Sequence, residues 1–296
     1  MTTTTTGVPR TPTTAASAAP GRTTRRPGTG TVLRWEIAKL VAQARSRYAL
    51  LVCLIAPIAL VLVFNGQQQS PSDTLFGRQV HTSGYGAPLF ILTFGSQWIF
   101  PILAALVGGD IFANEDQHGT WKTILTRSVT RSQIFWAKTL TATLFTVVSM
   151  AVLAASAIGS SLLFIGTQPL VGLDGQLIPS GTALPLVVAC WATALAPQIG
   201  LTALAILLSV KTRNPAAGVA APVAIGLVMQ LVGTLGGIDL TRQFLLTTPL
   251  ESWHGLLAEH PFHGPLEFGL AVSAAWTAVC LAGAYVALRR RDIIGG

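Results

Sequence analysis

Charge is scarce in this chain. Of its 296 residues only 10% are Asp, Glu, Lys or Arg, while 51% are hydrophobic; an ordinary soluble domain carries roughly 25% charged residues. That composition excludes a soluble globular fold. Acidic residues are the rarer sign, eleven against nineteen Lys and Arg, giving a formal charge of +8. In a soluble protein such an excess would suggest nucleic acid. Here the charges lie in short segments between long apolar runs, so the excess reports topology in a bilayer and no nucleic-acid partner is implied. Cysteine is scarce too. Cys53, Cys190 and Cys280 all lie within apolar runs and form no C-x-x-C pair. Neither a disulfide framework nor a cysteine zinc site follows from them, and they read as small packing residues.

Ionisable side chains are missing from the middle of every long apolar run. A proton- or ion-coupled carrier usually needs such a group to bind and release its driving ion, so that absence argues against a secondary multidrug carrier. The Ser and Thr of the runs have no His or Asp at the same depth, which leaves a hydrolytic membrane enzyme without its nucleophile and base. A phosphate-binding G-x-x-x-x-G-K-[ST] loop is also lacking, because Lys39, Lys122, Lys138 and Lys211 follow Ala, Trp, Ala and Val. The expectation is a non-catalytic chain with no cofactor of its own. If it works actively, another polypeptide supplies the energy.

What is present divides the chain into three parts. Residues 1–31 hold twelve Thr, four Pro, four Gly and four Arg without an aromatic or acidic residue, a composition that builds no core and reads as a disordered cytoplasmic tail. Residues 32–47 place Leu33, Ile37, Leu40 or Val41 and Ala44 along one helical stripe that continues to Tyr48, with Arg34, Lys39, Gln43 and Arg47 elsewhere. This suggests an amphipathic helix on the membrane surface, or else an extension of the first span. Residues 48–296 contain six apolar stretches, at about 48–64, 88–112, 139–165, 183–210, 216–238 and 268–288. A hydrocarbon core about 30 Å thick needs roughly 20 helical residues. Five stretches meet that requirement, and the first falls short enough to need Arg45, Arg47 and Tyr48 as interfacial anchors.

Seventeen of the nineteen basic residues flank the spans on one side and only Arg78 and Arg242 on the other. By the positive-inside rule both termini are cytoplasmic. The fold expected is therefore an all-α integral membrane protein of six transmembrane helices, both termini cytoplasmic, preceded by an amphipathic interfacial helix, in the inner membrane.

The loop at 113–138 carries the most specific pattern: Glu115, Gly119, Thr120, the aliphatic pair Ile124 and Leu125, then Arg131, Ile134 and Lys138. This order resembles the E-x-x-x-G-T, paired aliphatic, R-x-x-I/V-x-x-x-K loop of type-2 ABC exporter permeases, with Ser128 where a Pro is usual. The link K-T-R-N-P and the terminal R-R-R-D-I are weaker echoes of the same family. The resemblance implies a coupling helix that contacts an ATPase subunit, two ATPase subunits per complex holding the ATP, and a second permease protomer, identical or homologous. Independently of the family, Thr120 can cap a short helix whose Ile124 and Leu125 present an apolar patch among Lys122, Arg127 and Arg131. A solvated basic loop is the blander alternative.

The outer segment at 239–267 holds His254, His260 and His263, but H-x5-H-x2-H broken by Pro261 fits no compact zinc pattern. Its Leu245, Leu246, Leu250, Trp253, Leu256 and Leu257 suggest short amphipathic or re-entrant helices, an element the resembled family also has. Gln97, Gln198 and Gln230 are the large polar side chains within the spans. They suit hydrogen bonding between helices, or lining of a pathway between protomers. These features favour the permease of an ATP-driven exporter for a hydrophobic or amphipathic solute over a carrier or a non-transporting scaffold.

Overall fold

A computed structural model of the protein describes residues 28–67, 76–121, 129–235 and 239–291. Six helical segments are long and apolar enough to cross a membrane: Ala44–Gly66, Gly86–Gly108, Arg131–Phe164, Ser180–Thr212, Pro215–Thr234 and Gly264–Arg290. With no water in the bilayer core to take up N–H and C=O groups, an apolar run of this length is driven to helix. All six runs expected from composition are present. The first span is not short, because its helix begins at Ala44 and runs 23 residues. Arg45 and Tyr48 lie inside that helix, and no extra anchoring is needed to make up its length.

The second and fourth spans are the most enclosed, and the first, fifth and sixth lie at the periphery. The lower half of the fourth span packs most extensively against the sixth, and the first span against the third. Polar bonds tie the spans where the backbone is broken. The second span widens into a π-helical turn at Gly95–Ile99, just before Pro101. Pro101 has no N–H for the Gln97 carbonyl and its ring crowds that position, so the turn opens. In the first span, beside Pro57, the carbonyl of Leu54 accepts the hydroxyl of Ser156 from the third. Thr146 of the third span meets Thr202 of the fourth at 2.8 Å.

Small residues set the closest approach. A Cβ on Gly109 would lie 2.2 Å from the Gly218 carbonyl oxygen, and one on Gly218 would lie 2.1 Å from that of Gly109. The end of the second span and the start of the fifth therefore touch backbone to backbone. Cys53, Cys190 and Cys280 are free and buried among apolar neighbours, as packing residues would be.

The helix before the first span, Thr29–Ala42, is separate from it, broken where Gln43 turns to extended backbone. It packs against the third span. The stripe expected to be buried is divided: Val41 is 62% and Tyr48 66% exposed. The face toward the bundle instead carries Val32, Glu36, Leu40 and Gln43, while Trp35, Ala38 and Val41 look outward. The cause is charge, as the site geometry shows below.

At the end of the bundle remote from both termini, three connecting segments form a cap. Strands Leu170–Val171 and Leu177–Ile178 pair antiparallel. Gln79 donates to the Val171 carbonyl at 3.0 Å, Ser83 to that of Gln168 at 2.9 Å, and Leu173 N–H to that of Leu257 at 3.0 Å. The segment from 239 onward enters as a short helix, Asp239–Gln243, and a 3-10 helix, Thr248–Leu257. Leu246, Leu250, Trp253 and Leu257 are fully buried. Trp253 packs on Phe76 with ring centroids 5.5 Å apart.

Substituting Gly218→Ala should force the second and fifth spans apart and cost about 1–3 kcal/mol. Gly159→Ala, at a mid-helix site where an added Cβ meets nothing within 4 Å, should be neutral or stabilise by up to about 1 kcal/mol. Thermal unfolding of the two variants in detergent checks both. Equal melting temperatures would contradict the close approach.

Candidate functional site

The end that holds both termini is built around one carboxylate. After the second span the chain turns through residues 109–112, where the Ser209 hydroxyl accepts the N–H groups of Phe112 and Ala113 at 3.1 and 3.0 Å. A one-turn helix, Ala113–Gln117, follows and ends in a Schellman motif. Gly119 N–H bonds the Asp116 carbonyl at 3.2 Å and Thr120 N–H that of Glu115 at 3.1 Å, with Gly119 at φ +62°. The spacing E-x-x-x-G-T thus has a local cause. Glu115 starts the closing turn, Gly119 supplies the left-handed residue, and Thr120 returns its hydroxyl to the Glu115 carboxylate.

Twenty-three residues later Lys138 comes back to the same point. Its ammonium donates to Glu115 Oε1 and to Glu36 Oε2, each at 2.9 Å, and its side chain is 1% exposed. Lys39 also donates to Glu115. Four charges therefore alternate in sign, two on the N-terminal helix, one after the second span and one on the third. Burial alone would raise the Glu115 carboxyl, but the Lys138 charge and hydrogen bonds from Lys39, Thr120 and Lys138 outweigh it and hold the group at about 2. Buried counter-charges on the bundle explain the orientation of the N-terminal helix. Its Glu36 and Lys39 turn inward because leaving Lys138 with one partner in a low-dielectric site costs more than exposing Val41.

Further pairs extend the arrangement. Arg45 of the first span reaches Asp110, which is buried. Asp116 is paired with Arg291, whose guanidinium also lies over the Trp121 ring at 5.8 Å. The third span starts with a capping box: Gln133 N–H bonds the Thr130 hydroxyl at 3.2 Å, and Gln133 Oε1 accepts Thr130 N–H at 2.9 Å. Arg131 then donates to the carbonyls of Arg289 and Arg291 at 3.1 and 2.6 Å, closing the C-terminal end of the sixth helix. In the fourth-to-fifth link, Asn214 Oδ1 caps the fifth helix at Ala216 and Ala217, with Pro215 at its first position.

Of the residues expected to contact a partner, Glu115, Ile134 and Lys138 are buried, and Thr120 and Arg131 spend their polar atoms on this chain. They are positioning residues that hold the loop by both ends. Ile124 and Leu125, the expected contact patch, lie outside the described residues, as do Lys122, Arg127 and Ser128.

The three glutamines separate. Gln198 is fully buried and donates to the Phe100 carbonyl at 2.9 Å, so it joins the fourth span to the second within this chain. Gln97 sits half-buried on the π-helical turn and Gln230 half-buried near the cap. Sequence reasoning missed the cap hairpin, although Asp174-Gly175 between the strands, with Gly175 at φ +82°, is a hairpin signal. It also missed the capping box, legible as T-x-x-Q at Thr130.

A family model described as ABC-2 family transporter protein matches residues 32–233. The chain belongs to the ABC-2 transporter family. No curated protein matches it. As an ABC-2 permease it is a multi-pass membrane protein and a transport subunit rather than a catalytic one, of a class that works with ATPase partners. The match begins at the N-terminal helix, so Glu36, Lys39, Glu115 and Lys138 all fall within the region that defines the family.

Removing Lys138 as Lys138→Met should destabilise the permease by on the order of 3 kcal/mol by stranding Glu36 and leaving Glu115 with Lys39 and Thr120 alone. Adding Glu115→Gln should recover part of that loss, a non-additivity that a double-mutant cycle reads. The Glu115 carboxyl is depressed on folding, so its contribution is complete above the ordinary value of 4.5 and is lost as pH falls toward about 2. The stability gap between wild type and Glu115→Gln should therefore be constant near neutrality and close in acid.

Gln198→Leu should lower thermal stability by about 1–3 kcal/mol, since it leaves the Phe100 carbonyl without its amide partner. Gln230→Leu should leave stability nearly unchanged. Melting curves of the two single variants decide between these roles.

Proposed function

We propose that the chain is the membrane-spanning subunit of an ATP-driven exporter in the cytoplasmic membrane, moving a hydrophobic or amphipathic solute of antibiotic, peptide or lipid class outward. Both termini and the 113–138 loop face the cytoplasm in this reading, where seventeen basic residues accumulate. Two protomers, identical or homologous, pair around the pathway, and two ATPase subunits dock at the basic end. The outward face of the N-terminal helix, with Trp35 and Val41 exposed, then lies in the headgroup region.

The observation that carries this reading is the clasp between Glu115 and Lys138. It fixes the two ends of the loop to each other, while Lys39, Glu36, Arg131 and Arg291 tie those ends to the N-terminal helix and to the sixth span. A partner that pushed on the enclosed segment would move the second, third and sixth spans together, because interfaces of packed helices shift as bodies. Ile124 and Leu125 supply the apolar contact. The energy comes from ATP on the partner, and the absence of ionisable groups at the middle of the spans leaves nothing for a proton to drive.

In energised vesicles holding permease and ATPase, efflux should survive an uncoupler at constant ATP and stop on ATP depletion. Changing both Ile124 and Leu125 to Asp should abolish co-purification of the ATPase while leaving membrane insertion intact, since unpaired carboxylates in an interface core cost several kcal/mol. Efflux stopped by the uncoupler alone would replace this reading with a secondary carrier. Undiminished co-purification would remove the docking role from the loop.

A further inference from the structure

At the cap end, between the last turn of the fifth span, the 3-10 helix and the first turns of the sixth span, lies an open cavity of about 520 Å³. That volume falls in the range of small-molecule sites. Its walls combine apolar surface from Pro265 and Phe268 with polar side chains of Gln230, Arg242, Glu251 and His254. Opposite charges thus share one cavity without pairing. Among the described residues neither Arg242 nor Glu251 takes part in an ion pair. Elsewhere in this chain, acid and base that come together neutralise each other directly.

His254 adds a second polarity cue. Its Nδ1 lies 2.7 Å from the Glu251 carbonyl oxygen, and a carbonyl can only accept, so Nδ1 carries the proton and Nε2 of the neutral ring is an acceptor. The ring is held flat on Trp253, centroids 3.9 Å apart. One part of the cavity wall therefore offers acceptors, the Glu251 carboxylate and His254 Nε2, and Arg242 offers a fork of donors suited to phosphate.

Depth selects the kind of ligand. Gln230 lies four residues before the end of the fifth helix, and Phe268 four residues after the start of the sixth, so the floor is about one helical turn, roughly 5 Å, below the ends of the spans. That is the level where headgroups give way to acyl chains. Leu231, Leu235, Leu240 and Phe244, neighbours of the lining residues in the chain, are all more than half exposed, which gives an acyl chain apolar surface to follow.

We propose that this cavity binds the headgroup of an aminophospholipid from the membrane surface at the cap end, its phosphate on Arg242 and its ammonium on Glu251 and His254. The proposal rests on the cavity alone, so it stands whether or not the transport reading does. A purely anionic lipid would satisfy Arg242 but meet the Glu251 carboxylate, and is disfavoured.

The test uses the purified full-length chain in detergent and titration calorimetry with dihexanoyl phosphatidylethanolamine, dihexanoyl phosphatidylglycerol and chain-free phosphoethanolamine. Wild type should bind the ethanolamine lipid about tenfold more tightly than the glycerol lipid. Arg242→Gln should weaken both. Glu251→Gln should weaken the ethanolamine lipid and strengthen the glycerol lipid, a gain that an unfolded variant cannot show. Failure of the ethanolamine lipid to bind, equal affinity for both lipids in wild type, or indifference to both substitutions would overturn the assignment. Equal affinity for chain-free phosphoethanolamine would overturn the lipid in favour of a soluble zwitterion.

Discussion

A carboxylate and an ammonium buried together, Glu115 and Lys138, constrain the whole basic end of the bundle. Neither can be left alone there, because a single charge away from water costs several kcal/mol even after relaxation. The pair is short one donor and one acceptor, and the N-terminal helix supplies both as Lys39 and Glu36. Together with Val32 and Leu40, these charges decide which face of the helix turns inward. It also brings residues 115 and 138 to one point, so the intervening segment leaves and returns at a fixed place. The position of the two ends of the loop is thus a consequence of charge neutralisation.

Away from the charges, the bundle is held by the bookkeeping of backbone polar groups. Near two of the prolines inside the spans a side chain from a neighbouring span bonds a backbone carbonyl: Ser156 at Leu54 beside Pro57, Gln198 at Phe100 beside Pro101. A lipid-facing carbonyl would have no such remedy. Irregularity in one helix therefore dictates the neighbour it must have, and the enclosed second span is where the irregularity is greatest. The glycine contact between Gly109 and Gly218 serves the same end differently, by letting two backbones meet without side chains to separate them.

The spans were legible because twenty apolar residues in a row leave few alternatives, and their observed bounds differ from the apolar runs mainly where polar residues extend a helix, as at Arg131 and Ala44. The loop motif was legible as a pattern but not as a mechanism. Glu115 and Lys138 read as surface residues of a basic loop, since nothing local to either shows that they meet across 23 positions. The same limit applies to the N-terminal helix. Periodicity ranked Lys39 and Gln43 as its polar face, and only the distant Glu115 and Lys138 explain why Lys39 and Glu36 reach toward the bundle. Gln198 could be assigned to a helix interface or a pathway from sequence, and only the Phe100 carbonyl decides. The cap hairpin was missed for the opposite reason: its signal, Asp174-Gly175, is local but short, and apolar spans on both sides dominate any window that contains it.

The two ends also treat charge differently, and this separates topology from structure among the basic residues. Lys39, Arg45, Lys138 and Arg291 each have an acidic partner, and Arg131 is occupied with the carbonyls that end the sixth helix. Their charge is largely spent inside the protein, and among the described residues the field that a membrane potential or an anionic lipid surface meets comes from others, such as Arg34, Arg47, Arg213, Arg289 and Arg290. The count of seventeen therefore overstates the orienting charge, yet its sign survives the subtraction. At the cap end the reverse holds for one pair: among the described residues Arg242 and Glu251 do not neutralise each other, and both face a cavity rather than the helix core.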